Sequence, residues 1–142
     1  MPTRRSARAA TFTVLAALVV AAVGCGAEPP DLFAVDRSGS IAGAKLRLEV
    51  NDGGTVRCNG GEPKRMPSKL LLDARELQRQ LDEPGVAGRS LPPGPTSVLR
   101  YDVRTEHTRV RFADDSRNRP KTLDELAFLV RQVAQEACGL AR

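Results

Sequence analysis

The sequence predicts an α+β domain, with one antiparallel sheet of about five strands and two helices packed on one face. Three observations lead there. Five short segments alternate apolar and polar residues with period two, and two longer ones carry apolar residues at helical spacing. Their order is strand, strand, strand, helix, strand, strand, helix, without an internal repeat. The patterning occupies residues 32–142 of a 142-residue chain, enough for one modest core.

The first strand is suggested by Phe33 and Val35 and joins the second across the Ser- and Gly-rich segment 38–43. In the second, Leu46, Leu48 and Val50 alternate with Lys45, Arg47 and Glu49. Asn51-Asp52-Gly53-Gly54 then turns the chain, because Asn and Gly accept positive φ cheaply, into a strand alternating Thr55, Val56, Arg57 and Cys58. Ser68 is placed to cap a helix whose apolar stripe is Leu70, Ala74, Leu77 and Leu81, stopped by Pro84-Gly85. Segment 85–95, rich in Gly and Pro, is the expected mobile loop. A second hairpin alternates Leu99, Tyr101 and Val103 with Arg100, Asp102 and Arg104, then Val110 and Phe112 with Arg109 and Arg111. Thr122 and Glu125 have the spacing of a capping box. The helix they open carries Leu123, Leu126, Ala127, Val130 and Ala134, with Gly139 at its stop.

Residues 1–24 have a different character. Arg4, Arg5 and Arg8 precede an apolar run of 15 residues, 9–23, and no acid occurs before Glu28. A membrane-spanning helix needs about 20 apolar residues, so the run is short for a span and has the order of a secretory signal. Its closing residues, Ala22-Val23-Gly24-Cys25, resemble the lipobox of bacterial lipoproteins. That resemblance implies cleavage after Gly24 and fatty acylation of Cys25, palmitate being a usual chain. It would place the protein on the extracytoplasmic side of the cell membrane. One acyl chain holds only marginally, about 10⁴ M⁻¹, whereas two or more anchor stably. An ordinary secretory signal that happens to contain a cysteine is the alternative. Residues 25–31 then form a short tether.

Cysteine arithmetic agrees with this reading. Of the three cysteines, lipidation occupies Cys25 and leaves Cys58 and Cys138 as an even pair, which in an oxidising compartment is expected to bridge. Each lies on the apolar side of its element, so both face surfaces that must pack together. Two separate buried thiols are the alternative.

The net charge is +5, but three of the 22 bases belong to the leader, so 19 bases face 17 acids in the remainder. That excludes a strongly basic nucleic-acid binder. One His and no Trp leave little material for His-based catalysis, metal ligation or base stacking. His107 has no recognisable motif around it, and Asp114-Asp115 suits a turn better than a carboxylate pair. No catalytic residue, metal site or cofactor is expected. A binding surface has more support. The sheet face away from the helices would carry Lys45, Arg47, Arg57, Arg100, Arg104, Arg109 and Arg111 against Glu49 and Asp102. Such a face suits an anionic protein patch, an acidic envelope polymer or lipid headgroups; a solvated face of cross-strand pairs, with Arg47 and Glu49 among them, is the alternative.

Segment 37–43, Arg-Ser-Gly-Ser-Ile-Ala-Gly, with the strand after it resembles the opening of emfourin-like proteins. These are small bacterial domains named for a metalloprotease inhibitor. The similar parts are 37–43, 70–81, 99–112 and 123–134. The chain departs at Ser40, where that family more often has Gly, and adds the Cys58/Cys138 pair. The resemblance implies the fold and an interaction role, with Arg37, Ser38 and Gly39 at the binding turn. The expected partner is an envelope or secreted protein, a protease among the candidates. A structural lipoprotein that holds anionic polymer or lipid on its basic face is the second expectation.

Overall fold

The computed structural model describes residues 31–140, so the expected leader, Cys25 and most of the expected tether lie outside the described residues. Eight elements follow one another: β1 (Asp31–Gly39), β2 (Leu46–Asn51), β3 (Thr55–Cys58), β4 (Lys64–Arg65), α1 (Ser68–Leu81), β5 (Leu99–Arg104), β6 (Arg109–Ala113) and α2 (Lys121–Glu136). The α+β class stands, with an antiparallel sheet in the order β4-β3-β2-β1-β5-β6.

The sixth strand is the difference from expectation. Only two exposed residues make β4, paired with Thr55 and Val56, too few for any periodicity to reveal. The Met66 amide extends the pairing by donating to the Gly54 carbonyl at 3.0 Å, and its side chain is buried.

Alternation sets the two sides of the sheet. Phe33, Val35, Leu46, Leu48, Val50, Val56, Tyr101, Val103, Val110 and Phe112 are buried in one cluster with both helices. From α1 come Leu70, Ala74, Leu77 and Leu81, as the spacing predicts. The α2 stripe is wider than the sequence reading, adding Leu129 and Val133 to Leu123, Leu126, Val130 and Ala134, while Ala127 is only partly buried. Tyr101 and Phe112 stack with ring centroids 4.7 Å apart. Burial raises the Tyr101 phenol above its ordinary pKa of 10.0.

Helix starts differ from expectation. Pro67 and Pro120 occupy the N-cap positions and neither helix has a side-chain cap bond. Each proline ring holds φ near −55° and the chain enters extended, so Ser68 is already helical. The Thr122–Glu125 box does not form. Thr122 donates to Gln80 Oε1 of α1 at 3.2 Å, and Glu125 pairs with Lys121 at 2.8 Å. The end of α2 is as predicted: Gly139 takes φ 66°, and Leu140 N donates to Ala134 O at 2.9 Å.

Two ties fasten the periphery. Cys58 and Cys138 form a disulfide with Cα atoms 6.0 Å apart, joining β3 to the end of α2 across 80 residues of sequence. Segment 85–95, expected to be mobile, is strapped along β6. Leu91 N donates to Arg111 O and Arg111 N to Arg89 O, at 2.8 and 2.9 Å, while Val86 enters the core. Its Gly and Pro residues shape a bonded strap because β6 would otherwise present a bare edge.

Candidate interaction surface

The face of the sheet turned away from the helices carries the predicted arginines, and pairing decides what they can do. Arg47 lies 3.0 Å from Glu49 and 3.7 Å from Asp36. Arg104 reaches Asp36 at 2.7 Å, and Asp102 takes both Arg109 at 2.5 Å and Arg111 at 3.3 Å. Arg57 donates to the Gly61 carbonyl at 3.4 Å. The third acid, Asp36, was missed in the sequence count, although the alternation of Phe33 and Val35 puts it on this side of β1. Register adds Arg65, opposite Thr55, and Asp31, opposite Asn51, to the same side, and Lys45 stands just outside β2. Exposed pairs of this kind each contribute at most about 1 kcal/mol, so the lattice arranges charge more than it stabilises.

The arrangement has a pH signature. The hydrogen bond from Arg109 holds the Asp102 carboxyl below its ordinary 3.8, with Arg111 adding to the pull and partial burial opposing it. On α1, Arg79 and then Gln80 draw Glu76 from 4.5 to about 2. Depressed carboxylates bind fewer protons folded than unfolded, so their stabilisation is present above the unfolded value and is lost as pH falls. The urea midpoint of purified residues 26–142 is expected to stay level down to about pH 5 and to drop between 4.5 and about 2. Asp102→Asn makes that drop shallower below pH 4; an unchanged profile would remove Asp102 from the account.

Among the described residues no hydrogen bond or ion pair reaches the exposed guanidinium of Arg100; Lys45 and Arg65 on this side are likewise unpaired, and Arg100 is set apart by its place beside the β1–β2 turn. Cross-strand register sets Ser38 opposite Arg100 and Gly39 opposite Leu99. Ser40 N donates to Val98 O at 3.1 Å, clamping the β1–β2 turn to the segment entering β5. Ser38, Gly39, Ser40, Ser97, Val98 and Arg100 line an open hollow of about 380 Å³. The predicted residues Ser38, Gly39 and Arg100, far apart in sequence, thus meet at one end of the sheet. Val98, 38% exposed, is part of the hollow's lining, and Ile41, 49% exposed, lies in the same turn but lines a neighbouring pocket with Arg37 and Arg131.

Arg37 does something else. Its side chain lies on the helix side, donating from Nε to Ala44 O at 3.0 Å and from Nη2 to Gly43 O at 2.9 Å. It shapes the turn that Ser38 and Gly39 enter. The paired aspartates shape the other wall. Asp114 accepts from Val98 N and Leu99 N, each at 3.2 Å, and Asp115 accepts from Gly94 N and Thr96 N, each at 2.8 Å. Burial would raise the Asp115 carboxyl, but these backbone donors and the Thr96 hydroxyl bring it below its ordinary value. His107 sits in the exposed β5–β6 turn.

A separate groove between the helices, about 490 Å³ and not anticipated from the sequence, has Leu77, Leu129 and the half-exposed Phe128 on its floor. Lys69–Asp73 and Lys121–Glu125 pairs stand on its rim. Among the described residues no group of three or more His, Cys, Asp or Glu could hold a metal ion, and no helix is long and apolar enough to cross a membrane. Comparison with protein-family models, curated proteins and solved structures finds no match to this chain.

Proposed function

We propose that this chain is a lipid-anchored binding protein of the bacterial cell envelope. Acyl chains on Cys25 hold it on the extracytoplasmic side of the membrane. Its folded domain docks another envelope or secreted protein in the manner of an emfourin-like inhibitor, a protease being the first partner to test. One observation supports this reading above the others: the turn after β1 and the segment before β5 converge into a tip that exposes Ile41 and Val98 beside an unpaired Arg100. The tip lies at the opposite end of β1 from Asp31, where the tether arrives. Nine residues of strand reach about 30 Å, and a six-residue tether adds at most about 20 Å. An anchor at Cys25 would therefore present the tip away from the bilayer.

The anchor and the docking are tested separately. Cys25→Ala is expected to move the protein from the membrane fraction to the soluble fraction, and a variant that stays membrane-bound would count against acylation. For docking, purified residues 26–142 are expected to bind and inhibit an extracellular zinc metalloprotease saturably. Ile41→Asp should weaken that at least tenfold. No binding to such proteases, together with saturable binding to phosphatidylglycerol vesicles, would overturn the docking reading in favour of a lipid- or polymer-holding role for the sheet face.

A further inference from the structure

The geometry points to a carboxylate subsite within the docking tip: Arg100, with the hydroxyls of Ser38, Ser40 and Ser97, receives an Asp or Glu side chain of the protein partner. This rests on the docking reading above and names the chemistry of its contact. The first support is contrast within one face. Arg47, Arg104, Arg109 and Arg111 each have a carboxylate and Arg57 has a carbonyl, whereas Arg100, Lys45 and Arg65 have neither among the described residues, and of these three only Arg100 lines the hollow. A guanidinium presents a planar fork that fits a carboxylate with two parallel hydrogen bonds.

The second support is what surrounds it. The hollow of about 380 Å³ is lined by Arg100 and three serines, and the nearest carboxylate behind its wall, Asp114, is engaged by the Val98 and Leu99 amides, so an incoming anion meets mainly donors. Ser97 Oγ has only a long contact to Leu99 O, 3.5 Å, and the Ser38 and Ser40 hydroxyls have no partner among the described residues. The backbone beneath is fixed by the Ser40–Val98 bond and by Asp114 on the Val98 and Leu99 amides, so the serines are held in place before a ligand arrives. The third support selects a peptide carboxylate over a phosphate. Exposed Val98 in the wall of the hollow offers apolar contact to the neighbours of an acidic side chain, and a single guanidinium matches a single charge.

The test titrates isotope-labelled residues 26–142 with a blocked Leu-Glu-Leu tripeptide and with its Leu-Gln-Leu counterpart. Signals of the Arg100 Nε–H and of the Ser40 and Val98 amides are followed by NMR. The acidic peptide is expected to shift them saturably, the Gln peptide at least threefold more weakly. Arg100→Met should abolish the response, and Arg57→Met on the same face should leave it intact. No saturable shift, an equal response to both peptides, or a response that survives Arg100→Met overturns the subsite. Protease binding measured on the same proteins separates the two ideas. Binding that Arg100→Met leaves unchanged removes the subsite and keeps docking; a Glu-selective response without any protease binding keeps the subsite and removes the partner.

Discussion

Replacing Cys58 and Cys138 together by alanine is expected to destabilise residues 26–142 by about 2–5 kcal/mol, lowering the melting temperature on the order of 10–20 °C. The bridge spans 80 residues, so its loss releases a long closed loop in the unfolded chain. A local term adds to this. Cys138 is buried at 6% exposure against the core, and its carbonyl accepts from Lys64 Nζ at 3.3 Å, tying the end of α2 to the two-residue strand β4. Without the bridge, β4 and the last turn of α2 should be the first parts to exchange amide protons. Reductant applied to the wild-type protein should produce the same shift, while adding nothing to the double variant. A double variant with the wild-type melting temperature would mean that the packing of α2 already supplies the constraint.

Gly39→Ala is expected to be the most damaging small change at the tip. A Cβ there would lie 2.0 Å from the Val98 carbonyl oxygen and 3.2 Å from the Ala44 Cβ, so backbone must move. The same carbonyl accepts from Ser40 N, and pushing it away opens the clamp between the β1–β2 turn and the entry to β5. Overpacking of this kind costs about 1–3 kcal/mol, occasionally more. Partner binding should fall with it, since Ser38 and Ser40 separate from Ser97 and Arg100. The neighbouring exposed change Ser38→Ala should stay within about 0.5 kcal/mol. Equal urea midpoints for Gly39→Ala and wild type would show that the two segments can spread without cost.

The sequence carried the elements well and their neighbours poorly. Leu70, Ala74, Leu77 and Leu81 announce the buried face of α1 because 3.6-residue spacing is a property of one segment. The side of Asp36 follows from the alternation of Phe33 and Val35, but its pairing with Arg104 and the Ser38–Arg100 register depend on β1 lying between β2 and β5, a fact of sheet order that no single strand encodes. The helix starts failed for a local reason: Ser68 and Thr122-Glu125 have capping chemistry, but Pro67 and Pro120 begin each helix one or two residues earlier. Strand β4 leaves no trace in a pattern, since two exposed basic residues read equally well as loop. The strap at 85–95 inverts a compositional habit, its glycines and prolines serving a fixed path along β6.

The position of β1 has a mechanical consequence. Any pull transmitted through the amino-terminal segment arrives at Asp31, and any load on a docked partner arrives near Gly39, so force runs lengthwise along a strand flanked on both sides. Hydrogen bonds to β2 and β5 would then bear it in shear, many at once, where an edge strand would peel one bond at a time. Under the proposed anchoring and docking, the domain would be loaded in its toughest direction.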